Sequence, residues 1–304
     1  MNRTPIAFLS ADCMQASSPN RRADHWEHDL EYTELARGCA EAGLRLDTVI
    51  WNRADWNPSD YAAIVVGTTW DYAQQPEAFL LRLRELEQAA PLHNSSALIT
   101  WNSHKAYLRD LERDGATVVP TLWRAAADEQ SLRDAFDALD CEEIVVKPQV
   151  GAGAWRQARI RRGDAWPAPE ELPPDACMVQ PFLPASAEGE YSFVFFGGEF
   201  SHCALKVPAQ GDYRVQSLYG AKERPHVPSR EERRLAQEIL GYVPEIPLYA
   251  RVDMMRDLQG HLALMELELI EPYLYPEQGP GMGTVFARAL RGVLGRTRPQ
   301  GRTS

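Results

Sequence analysis

The segment LALMELELIEP, residues 262–272, sets Glu266, Glu268 and Glu271 into an otherwise apolar run. A water-soluble chain can bury such a run only as a strand or an interior helix, and neither welcomes three carboxylates. In a strand, residues two apart stand about 7 Å apart on one face. Glu266 and Glu268 then share a face, Met265, Leu267 and Leu269 pack on the other, and Glu271 falls opposite the pair unless Pro272 breaks the alternation. Two carboxylates on one face repel unless something positive lies between them, and a divalent cation suits that place. Taken alone, the segment also reads as an edge strand with a solvated polar face.

The rest of the last third is antiparallel in character. EYSFVFFGGEFSHCALKV (190–207) is a hairpin turning on Gly197-Gly198, where a tight turn needs positive φ. YARVDMMRDLQGHLALMELEL (249–269) is a second hairpin, turning near Asp257–Gly260, and a helix runs from about Met282 to Leu294. The first hundred residues read differently. Short apolar strands (6–10, 44–51, 62–67) alternate with helices (24–42, 75–89), the pattern of a parallel α/β sheet. TTWDY (68–72) follows the third strand at the carboxyl end, where open α/β sheets bind ligands. From Trp101 onward, residues 103–115 read as a helix with a Ser cap and a Gly stop, TVVPT (117–121) as a strand, 131–138 as a short helix, and 143–148 and 177–183 as strands. The expected domains are 1–100, 101–183 and 184–295, with a disordered tail at 296–304.

Composition narrows the function classes. The chain has 304 residues, 44% hydrophobic and 25% charged, with a net charge of −11. That charge argues against a nucleic-acid partner, and no apolar run is long enough to cross a bilayer. The apolar core of IAFLSADC is too short for a secretion signal. Five cysteines, an odd number with no Cys-x-x-Cys pair, point to reduced core thiols and a cytoplasmic home. DHWEHD (24–29) reads as the surface start of a helix rather than a metal site, and His202 as a packed residue. Arginine appears 28 times and lysine four times, at Lys105, Lys147, Lys206 and Lys222. Where arginine is the default surface cation, a lysine closing a half-buried strand, as Lys147 and Lys206 do, is a candidate phosphate contact.

No Walker-type phosphate loop is present, and GAGAWR puts Arg156 where a dinucleotide fingerprint needs its third glycine. Instead, a strand ends at Lys147 and a loop with Gly151 and Gly153 follows, whose amides can close over phosphate oxygens. The extended VQPFL then offers backbone to an adenine edge, and Glu188 and Glu190 offer acceptors to ribose hydroxyls.

In this order the residues resemble the ATP-grasp superfamily, and most of all its branch with glutathione synthetase, the ribosomal-protein glutamate ligases and the cycloserine-forming enzyme. WNSHKAYL, VVKPQVGAGAW, VQPFLP, EGEYSFVFFGGEFSHCALK, GDYRVQ, ARVDM and MELELIEP carry the resemblance, which spans about residues 6–292. It implies an N-terminal parallel α/β domain followed by two lobes clamping ATP, the last built on antiparallel strands. It places Lys105 and Lys147 on the phosphates, Gln180, Phe182 and Leu183 along the adenine, Glu190 (rather than Glu188) on the ribose, and Lys206 at the nucleotide. Asp253, Glu266 and Glu268 would hold two Mg²⁺ ions, for which Mn²⁺ can substitute. Many relatives carry Asn where Glu268 stands. Arg251 would face the reacting carboxylate, and Arg214 the substrate or the transferred phosphoryl group. The implied activity is ATP-dependent joining of a carboxylate to an amine, both small molecules or peptides, through an acyl phosphate. Alternatives are cyclisation after the same activation, a kinase-like release of phosphorylated product, and a nucleotide-binding regulator without turnover. Relatives of this kind are often dimers or tetramers.

Overall fold

The computed structural model describes residues 3–151, 155–215 and 219–296; the proposed tail and Gly153 lie outside them, apart from Arg296. The chain begins with β1 (Thr4–Ser10), α1 (His25–Glu41), β2 (Leu44–Ile50), β3 (Ala63–Val66), α2 (Pro76–Ala89) and β4 (Leu92–His93). These strands form a parallel sheet in the order β2-β1-β3-β4. Ile6 to Leu9 and Ala63 to Val66 are buried throughout, as expected of strands covered on both faces. TTWDY leaves the carboxyl end of β3.

The middle of the chain comprises α3 (Ser96–Asn102), α4 (Tyr107–Asp114), β5 (Leu122–Arg124), α5 (Glu129–Ala138), β6 (Glu143–Pro148), β7 (Ala158–Arg161) and β8 (Cys177–Pro181). Its strands pair antiparallel in the order β5-β8-β6-β7. The helix expected over 103–115 is shorter and has a different start. Ser95 caps α3, residues 103–106 form a turn that carries Lys105, and α4 ends on Gly115 with φ 113°. TVVPT is not a strand. It makes a single parallel bridge, Val118 to Leu264, and so covers the edge of the last hairpin.

The last part holds β9 (Glu190–Phe196), β10 (Glu199–Val207), β11 (Lys222–His226), α6 (Arg230–Gly241), β12 (Tyr249–Arg256), β13 (Leu262–Glu268) and α7 (Met282–Arg296). The sheet order is β11-β10-β9-β12-β13, with β9 central and buried along its whole length. Gly197 and Gly198 turn the first hairpin with φ 58° and 81°. Between β12 and β13, Arg251 pairs with Glu268 and Asp253 with Glu266. The register then slips, Met254 pairing with Leu264, so Met265 is the extra residue of a β-bulge. Met265 therefore does not pack with buried Leu267 and Leu269 as simple alternation required; it turns to the cavity described below. Helix α7 returns to lie across α1. The five cysteines are free thiols, and no helix among the described residues is long and apolar enough to cross a membrane.

Candidate active site

Three layers meet around a cavity of about 290 Å³. Strands β6 and β8 bring Lys147 and Gln180, the chain after β8 brings Phe182 and Leu183, and the turn before α4 brings Lys105. Glu190, Lys206, Arg251, Asp253, Glu266 and Glu268 come from the five-stranded sheet, and Gly151 and Arg214 from loops over it. Every described residue nominated from the sequence as a site residue thus lines one cavity. Glu188 does not; it lies outside, 3.9 Å from Arg256.

Four of the cavity's acids meet cations. Lys105 donates to Glu266, and Lys206 bonds Glu190 and lies 3.3 Å from Asp253. Arg251 spans two carboxylates, holding Asp253 at 2.8 and 3.0 Å and also reaching Glu268. Ser192 on β9 donates to Asp253 at 2.6 Å. Burial works to raise the Asp253 carboxyl, but Arg251 and Lys206 overcome it and hold Asp253 well below the usual range. Burial likewise works against ionised Glu266, and Lys105 keeps it low. Glu268 is held less firmly: burial, with Asp253 and Glu266 nearby, pushes it up to about 7 despite Arg251.

Two polar groups stand out because they lack a strong protein partner. The Lys147 ammonium is lowered chiefly by burial, and its hydrogen bond goes to the Met265 thioether, 3.2 Å away. Gln180 gives its amide N–H to Thr121 at 2.9 Å, while its buried Oε1 has no hydrogen-bond partner among the described residues. A buried polar atom left open is costly unless a ligand completes it. Phe182 packs against Tyr213, and the Arg159 guanidinium covers its ring at 3.5 Å. Gly151, with φ 144°, takes a backbone conformation open to glycine.

Asp253, Glu266 and Glu268 supply the hard oxygen donors that Mg²⁺ prefers. Among the described residues no three acidic, His or Cys side chains converge into a ready metal cage. Mg²⁺ commonly binds through one or two carboxylates plus substrate phosphates. The donor set fits the ion, with phosphate completing it.

Several lining residues escaped the sequence reading. Strand β13 ends at Glu268, so the alternation that set Glu271 on the far face stops, and Glu271 lines the cavity. Its carboxyl is pushed well above the usual range by burial and by Glu268. Pro272 was the signal. The DHWEHD segment is not a surface helix start: Asp24, Glu27 and His28 are buried, His28 lies 2.5 Å from the Thr68 hydroxyl, and Glu27 reaches the cavity. TTWDY ties the parallel sheet to this wall, since the Trp70 indole donates to the Glu271 carbonyl at 2.9 Å and Tyr72 lines the cavity. His202 is packed, its Nε2 2.8 Å from the Leu274 carbonyl, and burial lowers it to about 4.

Glu31, behind that wall, accepts the Leu274 N–H at 2.8 Å, and burial raises its carboxyl from 4.5 to about 8. Between those values the folded state binds a proton that the unfolded chain releases. The stabilising contribution is therefore full below pH 4.5 and is lost as pH rises through 8. Glu31→Gln keeps the acceptor and removes the titration. In thermal unfolding it should match wild type near pH 5 and exceed it by on the order of 3 kcal/mol at pH 8; equal gaps at both pH values would refute this account.

Comparisons with known proteins agree with the fold. Residues 6–94 match the family model described as D-cycloserine synthetase DcsG, N-terminal domain. The cycloserine biosynthesis protein DcsG of Streptomyces lavendulae is 27% identical over 282 residues, covering 86% of this chain and 93% of that protein. The crystal structure of D-cycloserine synthetase DcsG superposes with a TM-score of 0.81 at 24% identity, covering 95% of this chain and 99% of that one. The ATP-grasp ligase PsnB, in complex with a phosphomimetic minimal precursor, Mg and ADP, superposes with a TM-score of 0.66 at 16% identity, over 97% and 100% of the two chains.

Proposed function

We propose that this chain is an ADP-forming ATP-grasp ligase that activates a carboxylate and passes it to an amine, a reading supported by its fold and by its sequence likeness to DcsG. The observation that carries the reading is the placement of Arg251. It sits with Asp253 and Glu268 in the cavity that Lys147 also lines, and among the described residues the Lys147 ammonium makes no ion pair with a carboxylate. A protein that only binds nucleotide needs Lys147 but has less use for a buried guanidinium beside the metal-type acids.

In this reading Lys105 and Lys147 take the phosphates, Gln180 Oε1 accepts the adenine amino group, and Glu190 holds the ribose, sharing Lys206. Gly151 brings backbone close to phosphate oxygens. Asp253, Glu266 and Glu268 would hold Mg²⁺, which supplies charge neutralisation on the phosphates. Each of these carboxylates must then exchange part of its present pairing with Arg251, Lys105 or Lys206. The substrate carboxylate oxygen bonds to the γ-phosphorus as the bond to the β-phosphate oxygen breaks, giving an acyl phosphate and ADP. The amine lone pair then adds to the acyl carbon, phosphate leaves with the C–O bonding pair, and the amine loses a proton. Arg251 opposes the charge on the tetrahedral oxyanion and Lys147 that on the transferred phosphoryl group, with Arg214 at the cavity mouth. Such work is positioning and electrostatics.

A second reading is ring closure, with the amine supplied by the same molecule. The kinship with a cycloserine-forming protein, reaching through the N-terminal domain, favours it. The free cysteines agree with a reducing, cytoplasmic setting. Calorimetry of ADP with and without Mg²⁺ tests the nucleotide site. Binding should require Mg²⁺ and weaken at least tenfold, about 1.4 kcal/mol, in Glu268→Ala; no binding by either protein would remove the reading. Phosphate release from ATP with candidate substrates, and mass analysis of the product, then separates ligation from ring closure.

A further inference from the structure

The cavity's carboxylates differ in how they are held. Glu190, Asp253, Glu266 and Glu268 each meet a lysine or arginine. Glu271 lies close enough for its charge to act on Arg251, Lys105 and Tyr72, yet among the described residues its carboxylate has neither an ion pair nor a hydrogen bond. Arg251 is already committed to Asp253 and Glu268. The backbone around Glu271 is nevertheless fixed at three points: Trp70 Nε1 donates to the Glu271 carbonyl at 2.9 Å, Arg251 donates to the Tyr273 carbonyl at 3.1 Å, and Glu31 accepts from Leu274. A fold that fixes the main chain and turns a half-buried, unpaired carboxyl group toward a cavity leaves that group for a ligand to pair with. Tyr72 and Tyr273 line the same cavity as Glu271, and aromatic rings can attract cations.

We propose that Glu271 receives the ammonium group of the carboxylate substrate, so that the site selects a substrate with a free amino group over the same molecule acylated on nitrogen. The inference rests on the ligase reading and deepens it. With its carboxylate at Arg251 and its ammonium at neighbouring Glu271, a small zwitterion matches the two ends of this wall. A primary ammonium offers three donors to one carboxylate. The backbone attachment to Trp70 makes TTWDY a positioning segment for the same contact.

The test measures phosphate release from Mg·ATP with D- and L-amino acids and with their Nα-acetyl derivatives, alongside calorimetry of Mg·ADP. At least one free amino acid should drive release, and its acetyl derivative should do so at under one tenth of the rate. Glu271→Gln should raise KM at least tenfold with kcat within threefold and Mg·ADP affinity unchanged, and Glu271→Asp should recover part of the loss. Equal rates with acetylated substrates, or a KM within twofold of wild type in Glu271→Gln, would overturn the proposal. A tenfold loss of Mg·ADP affinity in Glu271→Gln would overturn it too, moving the residue to the metal. If Mg·ADP binds but no free amino acid drives release, the ammonium proposal falls and the nucleotide site stands. If Mg·ADP does not bind wild type, the ligase reading fails first and carries this one with it.

Discussion

Arg251→Lys should fold and bind Mg·ADP yet lose about 10²–10³ in kcat, the scale seen when one preorganised donor to a developing oxyanion is removed. The argument is geometric. Arg251 donates through Nε and one terminal nitrogen to Asp253, through that nitrogen to Glu268, and through the other to the Tyr273 carbonyl. A planar fork makes those contacts together; an ammonium on a flexible stem makes fewer and points differently. The charge survives in the lysine variant, so the two buried carboxylates keep a cation and the fold is spared. Arg251→Ala is the harsher change, because it strands Asp253 and Glu268 and should also cost about 3–5 kcal/mol of stability. Steady-state phosphate release and thermal unfolding separate the two effects. A lysine variant that keeps more than a third of wild-type kcat would mean that Arg251 serves the fold and not the reaction.

Much of this site was legible because its chemistry sits on local patterns. Alternation along β9, β12 and β13 put Glu190, Arg251, Asp253, Glu266 and Glu268 on particular faces, and Gly197-Gly198 announced the hairpin between β9 and β10. The resemblance in seven ordered segments did the rest. What was not legible depends on contacts between distant parts of the chain. The bulge at Met265 is a property of how β13 pairs with β12, and no residue in MELEL encodes it. Glu27 and His28 look like the solvated start of a helix until Thr68 and the 271–275 wall close over them. Lys105 was expected inside a helix started by Ser103, but it lies in the turn between α3 and α4, because α4 begins at Tyr107 and Ser103 ends α3. One omission was avoidable. Helix α6 opens with Ser229 and Glu232 in a reciprocal capping box, a three-residue spacing readable from sequence. Strand β11 was harder: it pairs on one side, to β10, and carries Pro225, which an edge tolerates and a central strand does not.

Gly38→Ala should destabilise the protein by about 4 kcal/mol or more, at the upper end for a single methyl group. Helices α1 and α7 cross through two glycines, so that a Cβ on Gly38 would stand 2.1 Å from the Gly283 carbonyl, and one on Gly283 would stand 2.1 Å from the Glu34 carbonyl oxygen. Both obstacles are backbone, so no side chain can swing aside and the helices must separate. The contact they would lose includes buried Leu35, Cys39, Phe286, Ala287 and Leu290. Separation would also pull on the Glu34 carboxylate, which accepts the Gly281 and Gly283 N–H groups at 3.1 and 3.3 Å. Those residues end the segment that begins at Glu271, so the damage should reach the cavity as a raised KM for the carboxylate substrate. Gly292→Ala is the internal control. It lies on α7, the partner helix that carries Gly283, with nothing within 4 Å of a Cβ, and replacing it should be neutral or stabilise by about 0.5–1 kcal/mol, the helix preference of alanine over glycine. The thermal unfolding midpoint should then fall by roughly 6 °C for Gly38→Ala and hold or rise for Gly292→Ala. If the two variants melt together, the helices do not cross as closely as these glycines require, and the coupling from α7 to the Glu271 wall loses its mechanical basis.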